Sequence, residues 1–258
     1  MRKLTYTNPI GGSVLFYANP LLITSLKGLD LPPQTIQEQK APFQDGTTPI
    51  DRLLNIREVV LEGAINAPNN FAGIAGYRRS IISALNPKAG PGIFVYQNDI
   101  ASYLIKNVIP EGPLFSDKAL TDPFQTFQLT LYCHDPYLYD VSPTVAAIGA
   151  STAVVNAGDV MAPITITISG ACTNPIITNA TSGYAIKYIG SLTSGQSLVI
   201  STAFGNKSVL LNGANAMSLI SSDTVFWGLL LGSNTITFSA SSGTPTVSLS
   251  FSNRYLGA

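Results

Sequence analysis

Apolar and polar residues alternate most regularly in the second half of the chain. Ile164, Ile166 and Ile168 are separated by threonines. Leu198 and Ile200, Val209 and Leu211, Ile236 and Phe238, and the set Val247, Leu249 and Phe251 keep the same period of two. That period puts every apolar side chain of a strand on one face and leaves serine and threonine on the other. Turn pairs punctuate the strands: Asn174-Pro175, Ser182-Gly183, Gly205-Asn206, Asn212-Gly213, Gly232-Ser233 and Ser242-Gly243. Short, evenly spaced strands with one apolar face predict an antiparallel sandwich or jelly roll with almost no helix.

The first half is less regular. Residues 14–17 form a strand candidate stopped by Asn19-Pro20, and residues 57–63 read as a strand with Val59 and Leu61 in phase. Between them, Pro32, Pro33 and Pro42 interrupt any long element, and Asp45-Gly46 marks a turn, so a long loop or arm is expected there. The best helix spans residues 75–85, where Ile81, Ile82 and Leu85 make one apolar stripe and Arg78 and Arg79 lie elsewhere. Asn86-Pro87 ends it, because a residue before proline avoids the helical region. A turn over residues 88–92 and a strand over residues 93–96 follow. Phe127, Leu129 and Leu131 lead along a further strand to Cys133.

Composition sharpens this picture at one point. Only 11% of residues are charged, against the ~25% usual in soluble domains. Residues 1–140 hold 11 Lys/Arg and 12 Asp/Glu, whereas residues 141–258 hold 3 and 2. That break, beside Asp135-Pro136 and Ser142-Pro143, sets a domain boundary near residue 140 and predicts domains of residues 1–140 and 141–258. Such a charge-poor surface is either polar without charge or covered by neighbouring subunits. Net charge is zero, so no basic stripe for nucleic acid is expected, and the pairs Arg2-Lys3 and Arg78-Arg79 read as solvated or locally paired charges. Polar residues follow Arg2-Lys3 where a secretory signal would be apolar. Residues 225–231 are the longest apolar run, far short of the ~20 residues of a membrane span, and read as a buried strand.

Candidate chemistry is sparse. The single histidine, His134, stands between Cys133 and Asp135, with no nucleophile elbow or zinc-helix pattern near it. Adjacent residues of a strand point to opposite faces, so Cys133 and His134 are not a metal pair. Cys133 and Cys172 read as small buried hydrophobes. Asp159 and Asp223 are the carboxylates of the second domain, neither in a suggestive context, and the glycines mark turns rather than phosphate loops. No catalytic residue, metal site or cofactor is therefore expected. Among the aromatics of the second domain, Phe238 and Phe251 lie on the apolar phase. Trp227 and Tyr188 remain as candidates for stacking on a sugar.

Taken in order, these features resemble the distal tail protein family of long-tailed phages. In the first half the resemblance rests on Asp45-Gly46, residues 57–63, Arg79, the helix end Leu85-Asn86-Pro87-Lys88, Phe124, Phe127 and residues 133–137. In the second it rests on residues 156–159 with Pro163, Ile166 and Gly170, on residues 175–179 and 181–183, on Gly232-Ser233-Asn234, and on Tyr255-Leu256-Gly257. The resemblance implies an N-terminal β-sandwich with one helix and an extended arm, followed by a C-terminal galectin-like, jelly-roll β-sandwich. It also implies a homohexameric ring formed by the N-terminal domains, at the virion tail tip, assembled in the host cytoplasm. Implied partners are the tail tube protein, the tail-associated tip or lysin protein and receptor-binding proteins; DNA only passes through the channel, and no membrane is entered. Some members carry carbohydrate-binding modules as large insertions in the second domain; this chain has no room for one. Three readings stand at this point: a structural hub, a glycan-binding adhesin using Trp227 and Tyr188, and a hydrolase using His134.

Overall fold

The structure is a computed structural model that describes residues 2–67, 71–116 and 124–258. It is mainly β, and among the described residues α1 (Phe71–Ala84) is the one α-helix. The chain divides into two units, Met1–Val141 with Leu256–Ala258, and Ser142–Tyr255. The division differs from the sequence-based domains at Val141 and in the last three residues, all of which fall in the first unit.

The first unit contains β1 (Lys3–Thr7), β2 (Ser13–Phe16), β3 (Leu21–Lys27), β4 (Gln34–Gln39), β5 (Thr48–Leu54), β6 (Arg57–Asn66), β7 (Gly92–Gln97), β8 (Ser102–Phe115), β9 (Phe124–Cys133) and β10 (Leu138–Asp140). Seven of these make one antiparallel path, β2-β1-β7-β8-β9-β6-β3, with β10 added to β8. The two outermost strands, β2 and β3, are joined by residues 17–20 alone. Laid flat, the path would hold them roughly 29 Å apart at the usual ~4.8 Å spacing. The connection reaches at most about 17 Å. The sheet therefore has to fold over on itself. The rings of Phe16 on β2 and Phe127 on β9 accordingly meet at 5.6 Å, although three strands separate them in the path. The enclosed face carries Leu4, Tyr6, Phe16, Val59, Leu61, Phe94, Leu129 and Leu131, all buried. Each contributes about 1.5–3 kcal/mol of burial, so this alternation is the main source of the unit's stability.

Helix α1 begins four residues before the expected start and ends one residue earlier. Ile74, Ile81, Ala84 and Leu85 form its buried face, while Ile82 is 49% exposed. The expected stripe of Ile81, Ile82 and Leu85 is thus corrected: a step of one residue turns a helix by ~100°, which carries Ile82 off the face that holds Ile81 and Leu85. Arg78 lies over the ring of Phe115 at 4.7 Å. Asn86 closes the end by accepting from the Lys88 N–H, starting a 3-10 turn over Pro87–Ala89.

In the second unit, β11 (Thr144–Ala147), β12 (Ser151–Asn156), β13 (Ile164–Ser169), β14 (Cys172–Thr173), β15 (Ile176–Asn179) and β16 (Tyr184–Lys187) come first. β17 (Ser191–Leu192), β18 (Ser197–Ser201), β19 (Ser208–Leu211), β20 (Ala214–Asn215), β21 (Gly232–Ser239), β22 (Ser242–Gly243) and β23 (Thr246–Phe251) follow. They form the sheets β11-β23-β13-β18-β19-β20 and β12-β21-β15-β16, with a small sheet β17-β14-β22 beside them. One core fills the space between, taking Ile164, Ile166, Ile168, Leu198, Ile200 and Leu249 from the first sheet and Val154, Ile177, Ile186 and Ile236 from the second. This is the galectin-like, jelly-roll type of sandwich that the alternation and the family resemblance led us to expect.

Residues 225–231 depart from expectation. They form no strand: only Leu229 bridges, to Ala162, and Val225 and Leu231 are 42% and 58% exposed. Three buried asparagines supply the alternative partners. Asn234 donates to the carbonyls of Leu230 (2.8 Å) and Gly232 (3.0 Å) and accepts from the Leu230 N–H (2.9 Å). Asn156 donates to the Leu229 carbonyl at 3.1 Å, and Asn179 donates to Asn234 at 3.1 Å. Side-chain amides thus satisfy backbone that a ladder would otherwise take up.

Candidate functional site

The segment between β3 and β6 is no loop. β4 and β5 pair with each other, from Gln34↔Leu54 to Gln39↔Thr48, with a shift of register after Gln37 that leaves Ile50 unpaired. They belong to no larger sheet. Every side chain of β4 is exposed, and so is all of β5 except the half-buried Leu54. A two-stranded ribbon alone is marginal in water. This one nevertheless exposes Ile36, Ile50 and Leu53. The expectation of an arm holds, with a regular hairpin where the prolines suggested irregular chain.

Hydrogen bonds close the tip of the arm into a turn. The Gln44 N–H donates to the Ala41 carbonyl, the Ala41 N–H donates to Gln44 Oε1 at 3.0 Å, and Gln44 Nε2 donates to Thr48 Oγ1 at 2.9 Å. Within this turn Phe43 takes φ +63° and stands wholly in solvent. A left-handed non-glycine residue costs about 1–2 kcal/mol, which these hydrogen bonds offset. Asp45-Gly46, the turn legible in the sequence, lies at this tip.

The root is fixed as firmly. Arg57, 1% exposed, follows β5 and donates to four backbone carbonyls: Gly28 (2.8 Å), Asp30 (2.5 Å), Pro136 (2.9 Å) and Leu256 (2.7 Å). Burial lowers its pKa from the ordinary value; the nearby Cys133 and Asp30 act in the opposite direction. Gly28 has φ +91°, and a Cβ there would sit 1.9 Å from the Glu58 carbonyl oxygen, so only glycine lets the chain cross β6 at this point. Asn55 closes the hairpin base, its N–H on the Pro33 carbonyl. Sequence reading passed over Arg57 because a charged residue opening a strand ordinarily faces water.

The residues considered for chemistry are placed as follows. His134 is exposed, with its backbone N–H on the Asn107 carbonyl. Asp135, the group that would have to orient it, instead accepts from the Tyr139 hydroxyl at 2.7 Å and the Tyr137 N–H at 3.3 Å. Cys133 and Cys172 are buried free thiols, in different units. Burial pushes the Cys133 thiol up to about 12. Asp223 pairs with Lys187 and accepts from Ser221, and these partners hold its carboxyl below the usual range. Among the described residues no three His, Cys, Asp or Glu side chains gather as metal ligands would. Trp227 and Tyr188 are 3% and 2% exposed and belong to the core of the sandwich, so the ring faces a sugar would stack on are covered by protein.

The first unit thus carries an exposed hairpin arm that joins no larger sheet, with a hydrogen-bonded tip and the buried Arg57 at its root. Residues 11–133 match the family described as phage tail protein RIFT-related domain, and residues 157–255 match the siphovirus-type tail component, C-terminal domain. The chain belongs to the siphovirus-type distal tail protein family. Among solved structures it is similar to the Dit protein of phage SPP1, a hub adsorption apparatus protein of phages infecting Gram-positive hosts, with a TM-score of 0.77 and 15% identity over 98% of this chain and 99% of that one. A chain of the phage P2 baseplate in its activated conformation with calcium gives a TM-score of 0.54 at 9% identity, covering 100% of both. At such identities the likeness speaks for the fold. A comparison with curated proteins gave no match.

Proposed function

We propose that this chain is the distal tail or baseplate hub of a long-tailed phage particle, in which six copies form a ring through their first units. The ring joins the tail tube to the tip and the host-adsorption apparatus. Its work is done by complementary surfaces, with no reacting group. The observation that carries this reading is the arm: a hairpin with exposed Ile36, Phe43, Ile50 and Leu53 needs a neighbour to cover it. A ring requires each subunit to offer two different surfaces, one to each neighbour, and an arm with a separate receiving face is the simplest such pair.

Mass photometry of the purified chain, alone and mixed with the adjoining tail proteins, tests the proposal. The expected species has six times the 27.2 kDa chain mass. Replacing residues 34–54 by a short Gly/Ser linker should leave the circular dichroism spectrum β-rich and abolish that species. A chain that stays monomeric under both conditions overturns the reading.

A further inference from the structure

The arm tip has a complementary feature elsewhere on the first unit. A groove of about 370 Å³ runs beside the C-terminal end of α1, where Ile82, Leu85, Pro87 and Pro113 provide apolar walls and Arg79 stands at the rim. Ile82 is 49% exposed there, beside the exposed Arg79, Ser83, Asn86 and Pro87 and above the buried Leu85. Arg79 is exposed and has no hydrogen-bond or ion-pair partner among the described residues. The groove thus presents apolar surface, interrupted by Ser83 and Asn86, with a cation at its edge that has no ion-pair partner among the described residues. The tip presents the matching pair: an aromatic ring held outward at Phe43, and a carboxylate two residues later at Asp45.

A second groove of the same unit, about 390 Å³, is lined by Thr24, Glu62, Leu114, Phe115 and Gln128. Its charged lining residue, Glu62, is an acid 4.0 Å from Lys27 and offers Asp45 no cation of its own, whereas the groove beside α1 has Arg79. The tip does not occupy the groove of its own copy, because Phe43 is 106% exposed.

We propose that Phe43 of one copy seats in the α1 groove of the next copy, with Asp45 paired to Arg79 at the rim. The inference rests on the ring reading above and names the contact that makes it. A large aromatic anchor entering a preformed apolar slot, with a charge pair at the edge, is the usual make-up of an energetic centre in an interface. The contact is heterologous, since tip and groove are different surfaces, so repetition closes into a ring or continues as a filament.

The test places the photo-crosslinker p-benzoylphenylalanine at position 43 of the full chain and irradiates an equal mixture of unlabelled and ¹⁵N-labelled copies. Crosslinks in mixed-label pairs should fall on residues 79–87 or 112–113. Crosslinks to other segments, or to another tail protein, overturn the proposal. In parallel, mass photometry follows Phe43→Ser, Asp45→Arg, Arg79→Asp and the charge-exchanged double variant. Phe43→Ser should weaken assembly about 100-fold, with an unchanged thermal melt because the side chain is exposed. Each single charge variant should weaken it about 10-fold, and the double variant should recover most of that loss. If the unmodified chain assembles and these variants assemble equally well, the inference fails while the ring reading stands. If the unmodified chain never assembles, both fail.

Discussion

At the scale of single residues, the first unit depends on two polar side chains buried side by side. Cys133 and Arg57 are opposite one another in the pairing of β6 with β9, and both are closed to water. Burial, opposed by the nearby Arg57 charge, raises the thiol from its ordinary 9.0 to about 12. The consequence for stability has a definite sign. Below pH 9 both the folded and the unfolded chain keep the proton. Between 9 and 12 the unfolded chain releases it and the folded chain retains it, so the free energy of unfolding falls by about 1.4 kcal/mol per pH unit. Urea titrations of the wild type and Cys133→Ala from pH 8 to pH 11 should show this extra slope in the wild type alone. Equal slopes would mean that the thiol reaches solvent. Neither residue announces its environment in the sequence: the thiol is legible as a buried hydrophobe, whereas nothing about an arginine before Glu58 says that four carbonyls surround it.

At the scale of elements, legibility followed burial against the chain's own core. The strands around Ile166, Ile200 and Leu249 alternate because one of their faces is covered, and sequence period reports just that. The arm has no covered face, so β4 and β5 carry no period, and the prolines flanking β4, at positions 32, 33 and 42, pointed to irregular chain. Residues 225–231 failed for the opposite reason. They are apolar enough for a strand, but their backbone is shared between isolated bonds to Ala162 and Ala185 and the side chains of Asn156 and Asn234. Those two asparagines, with Asn179, stand in the blocks that carried the family resemblance, at positions 156, 179 and 234, which gives the blocks a structural meaning. Asn234→Ala strips two carbonyls and one N–H of their partners and leaves Asn179 without its acceptor. A loss of about 2–4 kcal/mol is expected, from the penalty of about 1–3 kcal/mol for each buried group left unpaired and partial relaxation around the site. Chemical denaturation of the full chain measures it. A loss under 1 kcal/mol would show that water replaces the amide and that the extended segment does not depend on it.

At the scale of the whole molecule, the chain returns to where it began. The composition break near residue 140 set the expected boundary, and composition cannot show that the last three residues group with the first unit. Their backbone takes part in two of these contacts: Arg57 donates to the Leu256 carbonyl, and the Ala258 N–H donates to the Leu29 carbonyl at 3.1 Å. Backbone contacts leave no mark on residue type, which is why no pattern predicts them. Leu29 and Asp30 lead into the arm, so the returning tail and the root of the arm share one buried guanidinium. A chain ended after Tyr255 keeps every residue of the second core but leaves Arg57 with three acceptors instead of four. The first unit should then lose about 1–3 kcal/mol, the penalty of one hydrogen bond to a buried charge left unmade. Hydrogen exchange should rise at residues 28–30 and 55–57 while the sandwich strands β13, β18 and β23 exchange as before. Equal protection in both chains would separate the tail from the arm and leave Arg57 as an anchor of the first unit alone. Faster exchange confined to the arm root would show that the tail sets how firmly the arm is presented to a neighbouring copy.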